Sequence, residues 1–193
     1  WIKSNLENKI YLISFFITSI FLSIFLVKII KVDFLINTLL ISSAFYLFFI
    51  SLKDFFKKKL KNISQNISHF GFSLLVLSIL FNNILSTEKI INLKIGQTFQ
   101  SENININFEK IYQKEEQNYK NIIGTFRVEN SAGVVLFLKP ELRIYNQPNI
   151  ITSEADIKTS LWSDKFITMN IVQNQEYFNI RYQEKPLMIW IWI

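Results

Sequence analysis

His69 is the only histidine in the chain, and its imidazole can ligate a metal or a haem iron through a neutral nitrogen. It stands in Asn66-Ile67-Ser68-His69-Phe70-Gly71-Phe72, ahead of the charge-free run Ser73-Leu74-Leu75-Val76-Leu77-Ser78-Ile79-Leu80-Phe81 and behind Lys57-Lys58-Lys59. An ionisable side chain in such a run is costly inside a bilayer and needs a partner, which makes it a candidate functional residue. Three uses are open to it: a hydrogen bond to a neighbouring helix, a proton relay, or ligation. The chain has no cysteine, so disulfides, thiolate zinc, iron–sulfur clusters and CxxC redox chemistry are excluded within it. One histidine and no thiol cannot make a self-contained transition-metal site, so a cofactor here takes further ligands from elsewhere.

A second group of chemically capable residues is Glu141, Arg143 and Tyr145, alternate positions of one extended run and therefore on one sheet face. They fit a cross-strand salt bridge at a sheet edge, or a docking surface for a partner protein. Nothing resembles a hydrolase, because no Ser/His/Asp arrangement falls on one side of a membrane. The twelve acidic residues of 87–193 single out no glycosidase-like carboxylate pair. Nucleic-acid binding is excluded by charge distribution. Residues 1–86 hold nine Lys/Arg against three Asp/Glu, whereas 87–193 hold twelve of each, so the net +6 belongs to the apolar half.

These residues must be positioned by two kinds of element. Residues 10–30, 34–52 and 67–85 read as membrane-spanning helices, the first two forming a hairpin around Lys31 and Asp33. The basic loop 53–66 (Lys53, Lys57, Lys58, Lys59, Lys61) reads as inner-side by the positive-inside rule, and also suits an anionic lipid or a cofactor propionate. Helical periodicity puts His69 on one face with Phe72, Ser73 and Val76, beside a small-residue stripe of Ser64, Ser68, Gly71 and Ser78. That stripe predicts close helix packing, with His69 pointing into the bundle. Phe70 and Phe72 supply apolar walls suited to a haem.

From residue 87 to 185 the period changes to two, with strand-like runs at 91–95, 104–108, 122–128, 134–138, 166–172 and 177–182 and a turn at Asn130-Ser131-Ala132-Gly133. The predicted fold is an integral-membrane α-helical bundle with an inserted, extramembrane all-β domain: six or seven strands in a small sandwich or barrel. Residues 186–193 (Pro186-Leu187-Met188-Ile189-Trp190-Ile191-Trp192-Ile193) read as the start of a further helix, so the sequence is expected to be an internal piece of a longer polytopic protein. Trp162, Trp190 and Trp192 read as membrane-boundary anchors.

The order of these features resembles the C-terminal part of the CcmF family, the haem lyase subunit of cytochrome c maturation. His69-Phe70-Gly71 is similar to the opening of that family's histidine helix. Lys139-Pro140-Glu141-Leu142-Arg143-Ile144-Tyr145, Ser153-Glu154-Ala155-Asp156-Ile157 and Asp164-Lys165-Phe166 resemble motifs of its β domain. The exit Lys185-Pro186-Leu187-Met188-Ile189-Trp190-Ile191-Trp192 is similar too, with Ile189 where the family pattern has Arg. The resemblance implies a membrane haem lyase that attaches haem to apocytochrome c and holds a haem b between two transmembrane histidines. His69 would be one axial ligand, packed about by Gly71 and Phe72, and its partner histidine would lie outside this sequence, as would the substrate-haem site. Implied partners are other maturation subunits, a haem carrier protein, apocytochrome c and membrane lipid. The implied location is the bacterial inner membrane with the β domain in the periplasm, or the mitochondrial inner membrane if organelle-encoded. The competing reading is a non-catalytic polytopic scaffold or transporter subunit whose outer β domain binds proteins; a Trp-rich loop between histidines upstream would decide for the lyase.

Overall fold

The computed structural model describes the backbone of residues 2–56, 63–172 and 176–192, with side chains from residue 9 onward. The chain divides into two compact units, residues 1–86 with 186–193, and residues 87–185.

The helical unit holds α1 (Ile2–Ile30), α2 (Phe34–Phe56), α3 (Ile63–Leu85) and the single-turn α4 (Ile189–Trp192). Lys9–Ile30, α2 and α3 are each long and apolar enough to cross a membrane. α1 ends where Lys31 takes the left-handed conformation (φ 60°) and its N–H donates to the Val27 carbonyl. The helices pack through small side chains: Ser19 and Ser23 of α1, Ala44 and Ser51 of α2, and Ser73 and Ser78 of α3 are buried. Small residues let backbones approach where lipid gives helices no hydrophobic reason to associate. Each serine hydroxyl so placed needs an acceptor: Ser19 and Ser23 donate to carbonyls three or four residues back, and of Ser51 and Ser73 one donates to a carbonyl three residues back while the other donates to its hydroxyl.

The second unit is a β-sandwich of ten strands: β1 (Thr87–Leu93), β2 (Thr98–Gln100), β3 (Ile104–Glu115), β4 (Tyr119–Asn130), β5 (Val135–Leu138), β6 (Glu141–Asn146), β7 (Asn149–Glu154), β8 (Asp156–Lys158), β9 (Ser163–Ile171) and β10 (Phe178–Pro186). One sheet runs β1-β10-β9-β8; the other runs β2-β3-β4-β6-β7, with β5 also on β4. The sequence showed six or seven strands, and β2, β7 and β8 were missed. β2 and β8 have only three residues each, too few to display a period. β7 is an edge strand whose Ile150 and Ile151 are both exposed, which breaks the alternation.

The β core lies between the sheets around Ile106, Phe108, Phe126, Leu138, Leu142, Ile167, Met169 and Ile180. Phe108 and Phe126 stack at 4.3 Å, and Phe178 meets Phe108 edge-on at 5.5 Å. Gly124 is required here: a Cβ at this position would stand 2.8 Å from Phe126 Cε2 and 3.0 Å from Met169 Sδ. The expected turn joins β4 to β5, with Gly133 at φ +77° and the Asn130 side chain accepting from the Ala132 and Val134 N–H groups.

Candidate functional site

α3 packs on α2 through one face. Ser73 and Ser51 share a buried hydrogen bond of 2.6 Å, and Phe70 meets Phe55 at 5.0 Å and Phe48 at 5.7 Å. At the lower end of the pair, Asn66 Nδ2 donates to the Asp54 carbonyl at 2.7 Å. At the other end of α3, Asn82 Nδ2 donates to the Pro186 carbonyl at 2.7 Å, tying the segment before α4 to this helix.

His69 is on another face. Its side chain is exposed and forms no hydrogen bond among the described residues. Phe72, at 59% exposure, lies beside it, followed along the same side by Ile79 at 50%. Gly71 is also open, with no atom within 4 Å of where a Cβ would stand. This corrects two sequence expectations. His69 does not point into the bundle made by α1–α3, and of the expected stripe Ser78 is close-packed, joined by Ser73, whereas Ser64, Ser68 and Gly71 are exposed. The physical reason is rotational: α2 lies on the Phe70–Ser73–Leu77 side, and a helix apolar on most sides does not announce which side that is. Of the two predicted haem walls, Phe70 is engaged with α2, and Phe72 is open. The cluster Lys57, Lys58, Lys59 and Lys61 lies outside the described residues. Lys53, at the end of α2, sits over the Tyr11 ring at 4.5 Å.

The residues present therefore fit a flat apolar group held through imidazole: an unengaged nitrogen ligand, an exposed phenyl ring and a glycine that leaves the helix surface unobstructed. A second histidine ligand would come from outside this sequence, since His69 is its only histidine. Among the described residues no cluster of three or more His, Cys, Asp or Glu could hold a metal ion.

In the sandwich, the structure brings Glu141, Arg143 and Tyr145 together on β6 as expected. Arg143 donates to Glu141 at 3.2 Å and approaches Glu154 of β7 at 3.8 Å, and its guanidinium lies 5.4 Å from the Tyr119 ring. Asn121 of β4 donates to the same Glu141 oxygen at 2.9 Å. The expected edge position is wrong, because β6 is flanked by β4 and β7. The group is a half-exposed cross-strand network, and each of its charged partners is engaged within the sheet.

Sequence reasoning missed a cleft of about 760 Å³ at the end of the sandwich where β1, β9 and the β2–β3 connection begin and β10 ends. Its walls include Ile104, Val128 and Leu136, and Tyr182 lies at its base. Tyr182 is 2% exposed and its hydroxyl has no hydrogen-bond partner among the described residues. Burial, and then the neighbouring Glu184 carboxylate, push this phenol above its ordinary range. Glu184 itself is held by Ser163 (3.1 Å) and Lys165 (3.5 Å).

Comparison with known proteins bears on both units. The family model described as CcmF C-terminal beta-sandwich matches residues 84–186. Cytochrome c-type biogenesis protein ccl1 of Rhodobacter capsulatus is 28% identical over 99 residues, covering 51% of this chain and 15% of that protein. The cytochrome c-type biogenesis proteins CcmF of Haemophilus influenzae and Escherichia coli are 23% and 22% identical, over 66% and 65% of this chain. The chain spans only 20% and 19% of the length of those two relatives. A solved structure titled Cytochrome c Heme Lyase CcmF superposes with a TM-score of 0.67 at 13% identity, covering 92% of this chain and 31% of that one. The fold likeness thus extends beyond the sandwich into the apolar helices. With the family's β-sandwich matched across more than half of its residues, this chain belongs to the CcmF family of cytochrome c-type biogenesis proteins.

Proposed function

We propose that this chain is the part of a membrane haem lyase in which His69 serves as one axial ligand of a haem b. The observation that carries the reading is the open face of α3: the only imidazole of the sequence, without a hydrogen-bond partner among the described residues, stands beside exposed Phe72 and unobstructed Gly71. An ionisable side chain left unpartnered on a membrane-length helix is costly unless a ligand or a further helix covers it. His69 would meet that need by holding a haem through its neutral nitrogen, and Phe72 would contribute apolar contact. When bound, the haem supplies a one-electron redox couple. The residues of this chain would hold it through the His69 nitrogen and cover part of one side of it with Phe72.

In this reading α1, α2 and α3 cross the bacterial inner membrane, with the end of α2 that carries Lys53 on the inner side and the sandwich in the periplasm. The relatives' names support service to cytochrome c-type biogenesis. The partners in this reading are other maturation subunits, a haem carrier and apocytochrome c. The test is optical. His69→Ala in the full-length membrane protein is expected to lose the b-type absorbance while expression and membrane insertion persist. A scaffold or transporter role, in which His69 only packs, requires instead that His69→Ala and His69→Gln leave any haem spectrum and cytochrome assembly unchanged.

A further inference from the structure

The cleft at one end of the sandwich lies wholly among residues 87–185 and serves neither the packed core nor the His69 face. Its two walls differ in chemistry. Ile104 of β3, Val128 of β4 and Leu136 of β5 form one of them. Val128 stands opposite the core residue Ile106 on one side and Leu136 on the other, so this wall continues the core face of its sheet.

The facing wall continues the core face of the other sheet, yet there it carries lysines. Lys89 stands opposite Tyr182, and Lys158 opposite Lys165. Residues directly opposite share a face, and Lys165 lies two positions before the core residue Ile167. All three lysines therefore belong to the inner face, where that sheet lines the cleft. Like charges directly opposite each other in a strand pair are destabilising. Glu184 offsets one of them, lying 3.5 Å from Lys165 while Ser163 donates to it. Lys89 and Lys158 have no ion-pair partner among the described residues. Of the other acids at the rim, Glu88 is bonded to Arg181 and Gln183, and Glu102 is exposed in the β2–β3 connection. Tyr182 lines the base, its buried hydroxyl holding a proton to donate and no acceptor among the described residues.

Two ammonium groups without counter-charges, an unused phenol proton and an apolar wall across from them match one ligand chemistry: an apolar body ending in a carboxylate. A cleft of about 760 Å³, mostly apolar with a few polar groups, suits a small molecule. We propose that this cleft binds a small amphipathic carboxylate, its head on the lysine-bearing wall accepting from Tyr182 and its body against Ile104, Val128 and Leu136. Such a site requires neither His69 nor a haem, so its test and the optical one fail separately.

The test footprints lysines in the full chain reconstituted in nanodiscs, with para-butylbenzoate as the probe. Acetic anhydride acetylates accessible amines, and peptide mass spectrometry reads each lysine separately. Lys120, exposed on β4 and outside the cleft, is the internal reference. The expected result is loss of acetylation at Lys89 and Lys158 when para-butylbenzoate is added, with Lys120 unchanged. The neutral para-butylbenzamide, which keeps the body and lacks the charge, should protect neither. Tyr182→Phe removes only the hydroxyl, and its thermal midpoint verifies that the sandwich is folded. This variant should need roughly tenfold more para-butylbenzoate for the same protection, the loss of a hydrogen bond to a charged group. No protection in the parent chain, or equal protection by the amide or in Tyr182→Phe, would overturn the proposal. Lys89 and Lys158 that resist acetylation before any probe is added mean that protein already fills the cleft, and overturn it as well.

Discussion

Ser73 and His69 stand one turn apart on α3 and meet different surroundings: Ser73 is fully buried against Ser51, whereas His69 has no hydrogen-bond partner among the described residues. The contrast gives α3 a packed side and an open side, and the imidazole is on the open one. Tyr182 presents the opposite situation, a buried hydroxyl on the cleft wall near Glu184 without a hydrogen-bond partner among the described residues. Removing an unsatisfied buried hydroxyl is neutral or stabilising by ~1 kcal/mol, so Tyr182→Phe should raise or leave unchanged the thermal midpoint of the sandwich. Its pKa is raised on folding above the ordinary 10.0. The neutral phenol therefore contributes stability that is complete below pH 10.0 and declines as pH rises toward the folded value. Circular dichroism melts above pH 10.0 should show a steeper alkaline decline in the parent chain than in Tyr182→Phe, where Lys94 and Lys114 still contribute.

At the scale of elements, the α2–α3 pair depends on side-chain size more than on its hydrogen bond. Ser51 can also donate to the Phe48 carbonyl at 2.9 Å, so Ser73→Ala leaves that hydroxyl satisfied and should cost about 0.6 kcal/mol or less. Ser73→Leu forces a branched side chain into a fully buried contact and should cost about 1–3 kcal/mol, read as lost thermal stability in detergent. The β1–β10 pair carries an exposed charge network in which Arg181 bonds Glu88 at 2.6 Å and Gln183 bonds it at 2.7 Å. The Arg181 hydrogen bond holds Glu88 below the ordinary 4.5. A carboxyl depressed on folding contributes stability present above pH 4.5 and lost as pH falls through its lower folded value. Arg181→Ala should therefore lower stability slightly above pH 4.5, flatten the decline on the acid side and leave the acid extreme unchanged. What the sequence disclosed about elements follows the same physics. Long apolar runs and period-two alternation marked α1–α3 and the strands with one buried face, such as β3 and β4. Three-residue strands and the exposed edge β7 carry no such signal. The rotation of α3 about its axis was equally silent, because its apolar residues surround it and only the position of α2 decides which are buried.

At the scale of the whole molecule, the chain is a family-typical β-sandwich with membrane-length helices, and it covers about a fifth of its CcmF relatives. The candidate ligand was legible as the lone histidine among apolar residues, whereas its open surroundings were not, since they depend on how α3 packs. A haem held through His69 makes one demand that no packing role for this residue shares: the imidazole can be supplied from solution. His69→Gly in the full-length membrane protein removes the ligand and leaves room for a free one. The predicted result is loss of the six-coordinate, low-spin b-type spectrum and its return when imidazole is added. A wild-type spectrum in His69→Gly without imidazole would contradict His69 as the ligand.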